Sequence, residues 1–181
     1  MIVKLINLVK VQHALVWQQQ HCAPHSVPYT SLSSCKTLSS VTHPSPSSSF
    51  IMNEVDALAN IDLKTRMIKK KKISLNIVRI GTSGALQNDI DTDSFVASEF
   101  GLGLDGLLHY YDVKRIEEQK ISKAFAFHTK WNDKLPFPYT IKGSEKLFAK
   151  IGDGMNKGIT ATAPGFYAPQ GRELRLTPSI K

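Results

Sequence analysis

With 181 residues the chain has room for one domain of ordinary size with its own core. Hydrophobic residues at 41% and charged residues at 21% match a folded globular chain and exclude a wholly disordered one. The net charge of +8 points toward an anionic partner, although the positive residues are scattered along the chain.

Residues 1 to 17 are apolar, with Lys4 and Lys10 interspersed. Lys10 interrupts what would be the apolar core of a signal peptide, and Ala23-Pro24 makes a poor cleavage site, so a short amphipathic helix or a weak targeting segment is expected instead. From residue 18 to 49 glutamine, histidine and proline accumulate, and serine takes nearly half the positions between Ser31 and Ser49. Too little apolar surface is available there to offset the ordering entropy, so residues 1–50 read as a low-complexity leader. The histidines of residues 18 to 49, His21, His25 and His43, lack metal-ligand spacing. Cys22 and Cys35 form no C-x-x-C pair, which fits a reducing compartment and a cytoplasmic location. No apolar run reaches membrane-spanning length, and no membrane partner is expected.

From about Met52 the composition becomes that of a folded domain. Asn53 caps a short expected helix through Ala59. Lys69-Lys70-Lys71-Lys72 reads as a solvated loop, since such a run is more often a solvated turn than a nucleic-acid patch and no aromatic residues interleave with it. Ser74 to Ile80 is an almost unbroken apolar and β-branched run, the pattern of a buried strand.

That strand leads into Arg79-Ile-Gly-Thr-Ser-Gly-Ala-Leu-Gln87. Small residues, two hydroxyls and backbone N–H groups are thereby delivered to a sheet edge, and Arg79 adds a fork of donors suited to phosphate. A glycine-rich turn carrying a surface arginine would have the same sequence. Asn88 to Asp93 is a polar turn. Its aspartates imitate a calcium loop, but Ser94 and Phe100 stand where glycine and glutamate are needed, so no metal site is assigned.

Phe95 to Phe100 reads as a second strand, and Gly101-Leu-Gly-Leu-Asp-Gly106 after it as a tight turn leading to His109-Tyr110-Tyr111. Its formal match to the dinucleotide pattern G-x-G-x-x-G lacks a following helix of useful length. Residues 115 to 130 form a helix on the spacing of Ile116, Ile121, Phe125 and Phe127, with His128 near the last carbonyls. After Leu135-Pro-Phe-Pro138, a short helix from Ser144 to Ile151 is stopped by Gly152 and Gly154. A strand over Lys157 to Ala163 breaks at Pro164-Gly165, and Phe166-Tyr-Ala-Pro-Gln-Gly-Arg172 follows. That loop offers an aromatic face, an amide and a guanidinium, which together suit the polar edge of a heterocycle. An exposed proline turn is the bland alternative.

The pair of motifs, Arg79 to Gln87 and Gly165 to Arg172, resembles the uridine phosphorylase branch of the nucleoside phosphorylase family over about Met52 to Leu176. The resemblance implies an α/β class chain with a three-layer α/β/α fold and a mixed, partly closed central sheet, incomplete here. It makes residues 51–181 a partial phosphorylase domain. It also implies phosphorolysis, in which a pyrimidine nucleoside and inorganic phosphate give free base and ribose 1-phosphate. Phosphate is then a co-substrate and no cofactor or metal is involved. Arg79, Gly81 and Thr82 would hold the phosphate, and Ser83 and Gly84 would line the ribose and base side. Phe166 would pack on the base while Gln170 and Arg172 bond its edge. Arg79, Thr82 and Arg172 would be the catalytic residues.

The family's earlier Gly-Asp-Pro phosphate loop has no counterpart here, and residues 1 to 50 contain no arginine. A later Met-Glu pair that grips the ribose is also absent. The expectation is therefore an internal slice of a phosphorylase, forming a homo-oligomer or co-assembling with full-length subunits, with a nucleoside and phosphate as small-molecule partners and no nucleic acid. An inactive fragment that binds base weakly is the alternative. A purine phosphorylase or nucleosidase is a third reading, disfavoured by the Gln170/Arg172 pair.

Overall fold

A computed structural model of the chain describes residues 3–11, 46–114 and 116–180. The leader between residues 12 and 45, with both cysteines and its histidines, lies outside the described residues. Strand β1 (Val3–Val11) is followed by helix α1 (Pro46–Asn60) and the strands β2 (Leu75–Ser83) and β3 (Phe95–Gly103). Helix α2 (Gln119–His128), strand β4 (Tyr139–Lys142), helix α3 (Glu145–Ile151) and strand β5 (Asn156–Thr162) complete the order. The class is α/β, with one open mixed sheet.

β3 is the centre of that sheet. Its first half pairs in parallel with β1, Lys4 opposite Phe95 through Asn7 opposite Ser98. Its second half pairs antiparallel with β4, Phe100 opposite Lys142 through Gly103 opposite Tyr139. β5 pairs in parallel along nearly the whole strand, with a bulge between Ser98 and Phe100. At that bulge the Glu99 carbonyl accepts the Gly143 N–H at 2.7 Å, where the neighbour changes from β1 to β4. β2 pairs antiparallel with the far side of β1.

The core follows β3. Val96, Ala97, Ser98, Leu102 and Gly103 are buried, and Val96 packs with Ala85 and Ile90. Leu147 of α3 is buried beside Phe148 and Met155. Two polar pairs lie in these layers. The Ser98 and Thr160 hydroxyls bond across β3 and β5, and the Ser122 hydroxyl donates to Thr140 at 3.0 Å, pinning α2 to β4. Both Ser122 and Thr140 are fully buried, so each satisfies the other where water cannot.

Local signals explain several boundaries. The Ser144 hydroxyl accepts the Leu147 N–H, capping α3, and Gly152 ends the helix as expected. β5 ends just before Pro164-Gly165. Elsewhere the fold departs from sequence expectation. Residues 3–11 form a strand, not an amphipathic helix: Val3, Ile6, Val9 and Val11 favour extended backbone, and two neighbouring strands supply the pairing. α1 begins at Pro46, so Asn53 lies inside the helix and not at its N-terminus. β2 is not buried. It is an end strand with alternating exposure, and Val78 and Ile80 face outward. Gly101 and Gly103 belong to β3, so the turn starts only after Gly103. α2 starts at Gln119, leaving Ile116 ahead of it, and Phe127 is 87% exposed. At its C-terminus the Thr129 hydroxyl, rather than His128, bonds the Phe125 carbonyl at 2.8 Å.

Candidate functional site

Arg79 lies in β2 on the half-buried face shared by Leu75, Ile77, Gly81 and Ser83. Its guanidinium lies against Gly81, where a side-chain Cβ would sit 3.8 Å from Nη2. Thr82 is on the opposite, exposed face, because successive residues of a strand point to opposite sides. The expected phosphate grip by Arg79 and Thr82 together is therefore not formed along this strand. Ser83 is the hydroxyl residue on the face of Arg79, and its Oγ donates to the Gly84 carbonyl at 3.1 Å. Gly81, Thr82 and Ser83 pair with Leu5, Lys4 and Val3, so they extend a strand rather than form a turn. Gly84 follows, exposed.

The second motif folds into a small knuckle after β5. Its turn is a short 3-10 segment, Ala168–Gln170, closed by Gly171 in the left-handed region at φ 69°. The Tyr167 carbonyl accepts the N–H groups of Gln170 at 2.9 Å and Arg172 at 3.0 Å. The Arg172 guanidinium stacks on the Phe166 ring with its carbon 3.8 Å from the centroid, and Tyr167 meets the same ring edge-on. Phe166, Gln170 and Arg172 are all exposed. The three residues expected to read a base are thus together on one compact element.

The two motifs are not together. β1, β3 and β5 run in one direction and β2 runs against them. Ser83 pairs with Val3, near the start of β3, whose Val96 pairs with Asn156 at the start of β5. The knuckle follows the other end of β5, after Thr162. At about 3.3 Å per residue the strand alone separates the two ends by roughly 20 Å.

At the end where the knuckle begins, the Leu104 N–H donates to the Thr162 carbonyl at 2.9 Å, joining the exits of β3 and β5. Beside that joint is a polar group that sequence reading did not find. The buried Tyr139 phenol donates to Asp105 Oδ1 at 2.6 Å, and the same oxygen accepts the Leu107 N–H at 3.0 Å. His109 packs edge-on against Tyr139, and its Nε2 donates to the Phe137 carbonyl at 2.7 Å. Burial, reinforced by the hydrogen bond to the Asp105 carboxylate and by its negative charge, pushes the Tyr139 phenol well above the ordinary tyrosine range. The available signal was Gly103. A Cβ there would overlap the Tyr139 ring, so this glycine makes room for an aromatic ring and not for a phosphate.

A separate cleft of about 270 Å³ opens between α3 and the sheet, lined in part by Glu99, Lys142, Glu145, Phe148 and Lys157. It contains none of the residues expected to bind nucleoside. Among the described residues no three His, Cys, Asp or Glu side chains gather as metal ligands, and no helix is long and apolar enough to cross a membrane. Set against known proteins, the chain matches no family model, no curated protein and no solved structure.

Proposed function

We propose that the chain carries the two halves of a pyrimidine nucleoside phosphorolysis site, converting uridine and phosphate to uracil and ribose 1-phosphate. The observation that carries this reading is the knuckle, which presents Phe166, Gln170 and Arg172 on one hydrogen-bonded turn. A uracil ring would take the face of Phe166, and Arg172 would swing from that face to the base edge beside Gln170. An exposed cation–π contact is worth only about 0.5–1 kcal/mol, so this exchange costs little. As the glycosidic bond lengthens, negative charge on the departing base would be stabilised by Arg172, while Arg79 holds phosphate toward the cationic sugar carbon. The finer fold that goes with this reading is the three-layer phosphorylase architecture with its mixed sheet.

β1 and β3 lie between β2 and β5, and the Gly81–Gly84 exit is at the opposite end of the sheet from the knuckle, so this reading assembles the complete site from Arg79 of one subunit and Arg172 of another. The test is complementation, following uridine loss with and without phosphate. Arg79→Ala and Arg172→Ala should each lower phosphate-dependent turnover about 100- to 1000-fold. In a two-fold dimer, mixing the two variants should restore about a quarter of the activity, since half the dimers are mixed and each has one intact site. No restoration, with an active wild type, would place the site within one chain.

The same separation favours a second reading, a chain that binds base without turning it over. Uracil binding lost in Arg172→Ala, with no uridine loss by the wild type, would establish that reading in place of the first.

A further inference from the structure

The loop between α1 and β2 is built around one buried side chain. Asn60, 4% exposed, accepts the Ile73 N–H on Oδ1 at 2.7 Å and donates from Nδ2 to the Ile73 carbonyl at 3.1 Å. Its own carbonyl accepts the Lys69 N–H at 2.8 Å. Residues 69 and 73 are thereby fixed to the end of α1, and Lys70, Lys71 and Lys72 project between the two anchors.

The first limb of the loop is equally ordered. Ile61 and Ile68 form an antiparallel bridge, the Asp62 N–H donates to the Met67 carbonyl at 2.9 Å, and the Arg66 N–H to the Asp62 carbonyl at 2.8 Å. The Asp62 carboxylate accepts the N–H groups of Lys64 at 2.9 Å and Thr65 at 3.1 Å, so its charge is turned into its own turn.

What this frame displays is unusual for a solvated loop. Between Asp62 and Ile73 six cations stand against one carboxylate. Lys69 is drawn to the Ala59 carbonyl at the end of α1, while Lys64, Arg66, Lys70, Lys71 and Lys72 are exposed. Interspersed with them, Leu63 (58%), Met67 (68%), Ile68 (46%) and Ile73 (56%) are aliphatic side chains left in water. Cations mixed with exposed aliphatic groups fit a headgroup layer, where the charges meet anionic lipid and the aliphatic groups enter the acyl boundary. A single-stranded nucleic-acid surface combines cations with aromatic rings that stack on bases, and the loop has none, while exposed aliphatic groups find no partner on a phosphate backbone.

We propose that the Asp62–Ile73 loop docks this chain onto an anionic lipid surface. The proposal is independent of the nucleoside reading. The test is cosedimentation of the full chain with vesicles of phosphatidylcholine alone or with about a third phosphatidylserine. Binding is expected only to the serine-lipid vesicles and should weaken as salt shortens the screening length. Replacing Lys70, Lys71 and Lys72 together with alanine should lower the affinity roughly a hundredfold, with an unchanged circular dichroism spectrum because all three are exposed. Met67→Ser with Ile68→Ser should lower it about tenfold. Equal binding to both vesicle types, no binding to either, or undiminished binding by the triple variant would each overturn the proposal. Capture by single-stranded RNA without any vesicle binding would overturn it too.

Discussion

Gly81, near the end of β2, and Gly103, at the end of β3, each belong to a Gly-x-x-Gly or Gly-x-Gly run in which an apolar strand runs out. Over Gly103 lies the buried Tyr139 ring, tied by its hydroxyl to Asp105, and three residues on Gly106 presses against Pro136. Over Gly81, among the described residues, the Arg79 guanidinium lies at van der Waals distance. β3 has neighbours on both edges, whereas β2 is paired on the β1 side. The first glycine run looked to be the functional one in sequence and the second a mere turn. In the fold the second is the more completely built. A glycine's role is set by what packs against it, and that partner is usually remote in sequence.

The largest stability effect should come from Gly103→Ala. The added methyl overlaps a ring that is itself fixed by burial and a hydrogen bond, so β3 or Tyr139 must shift. Overpacking of this kind costs about 3 kcal/mol. For a chain of this length the melting temperature should fall by about 10 °C, measured by thermal denaturation. An unchanged melting temperature would erase the contrast between the two strand ends.

Gly106→Ala should cost less, about 2 kcal/mol, from two sources. Its φ of 73° is in the left-handed region, and a Cβ would come within 2.7 Å of the Pro136 Cβ. Chemical denaturation of the variant measures the sum. Gly106→Ala in combination with Pro136→Gly separates them, since removing both Cβ and Cγ at 136 should recover only the steric part.

Tyr139→Phe removes the hydroxyl and leaves the ring over Gly103. Loss of a hydrogen bond to a carboxylate costs about 1.5 kcal/mol at neutral pH, with Asp105 keeping the Leu107 N–H. The pH dependence gives a sharper test. The phenol's ionisation is raised in the folded chain from its ordinary value of 10.0, so its contribution is fully present below about pH 10. It is lost as pH rises through the folded value, because the unfolded chain releases that proton first. The stability difference between wild type and Tyr139→Phe should therefore shrink above pH 10, by up to about 1.4 kcal/mol per pH unit. A constant difference would mean the phenol is not held as its position implies.

These contrasts also mark how far the sequence could be read. β5, α3 and the Gly152 stop were legible because each depends on residues within a turn of one another. The knuckle was legible for the same reason, since Phe166, Gln170 and Arg172 meet through local hydrogen bonds. The direction of β2 was not, because it depends on β1, more than sixty residues earlier. A strand exit places a ligand-binding group only once the neighbouring strands are known, and here the reversal of β2 carries the Thr82–Gly84 exit away from the knuckle. β1 itself was obscured by Lys4, Asn7 and Lys10. Their spacing of three imitates a helix, and extended pairing with β2 and β3 overrode it. Asp105 and Tyr139 are 34 residues apart, and only the fold brings them together.

Gly81→Ala should have the smallest effect on stability and yet separates structure from function most cleanly. In a strand an alanine loses less backbone freedom on folding than glycine, which favours the variant by about 0.5 kcal/mol. Its Cβ meets Arg79 at 3.8 Å, an ordinary contact, so the guanidinium need not move. Denaturation should therefore show the variant equal to or slightly more stable than the wild type. If phosphate is held against this strand by Arg79, however, the methyl group occupies the space the anion needs beside the backbone. Phosphate binding, followed by calorimetry, should then weaken although the fold is intact. Undiminished phosphate binding in a stable Gly81→Ala would show that the glycine at the end of β2 serves the strand alone, and would move the anion site away from Arg79.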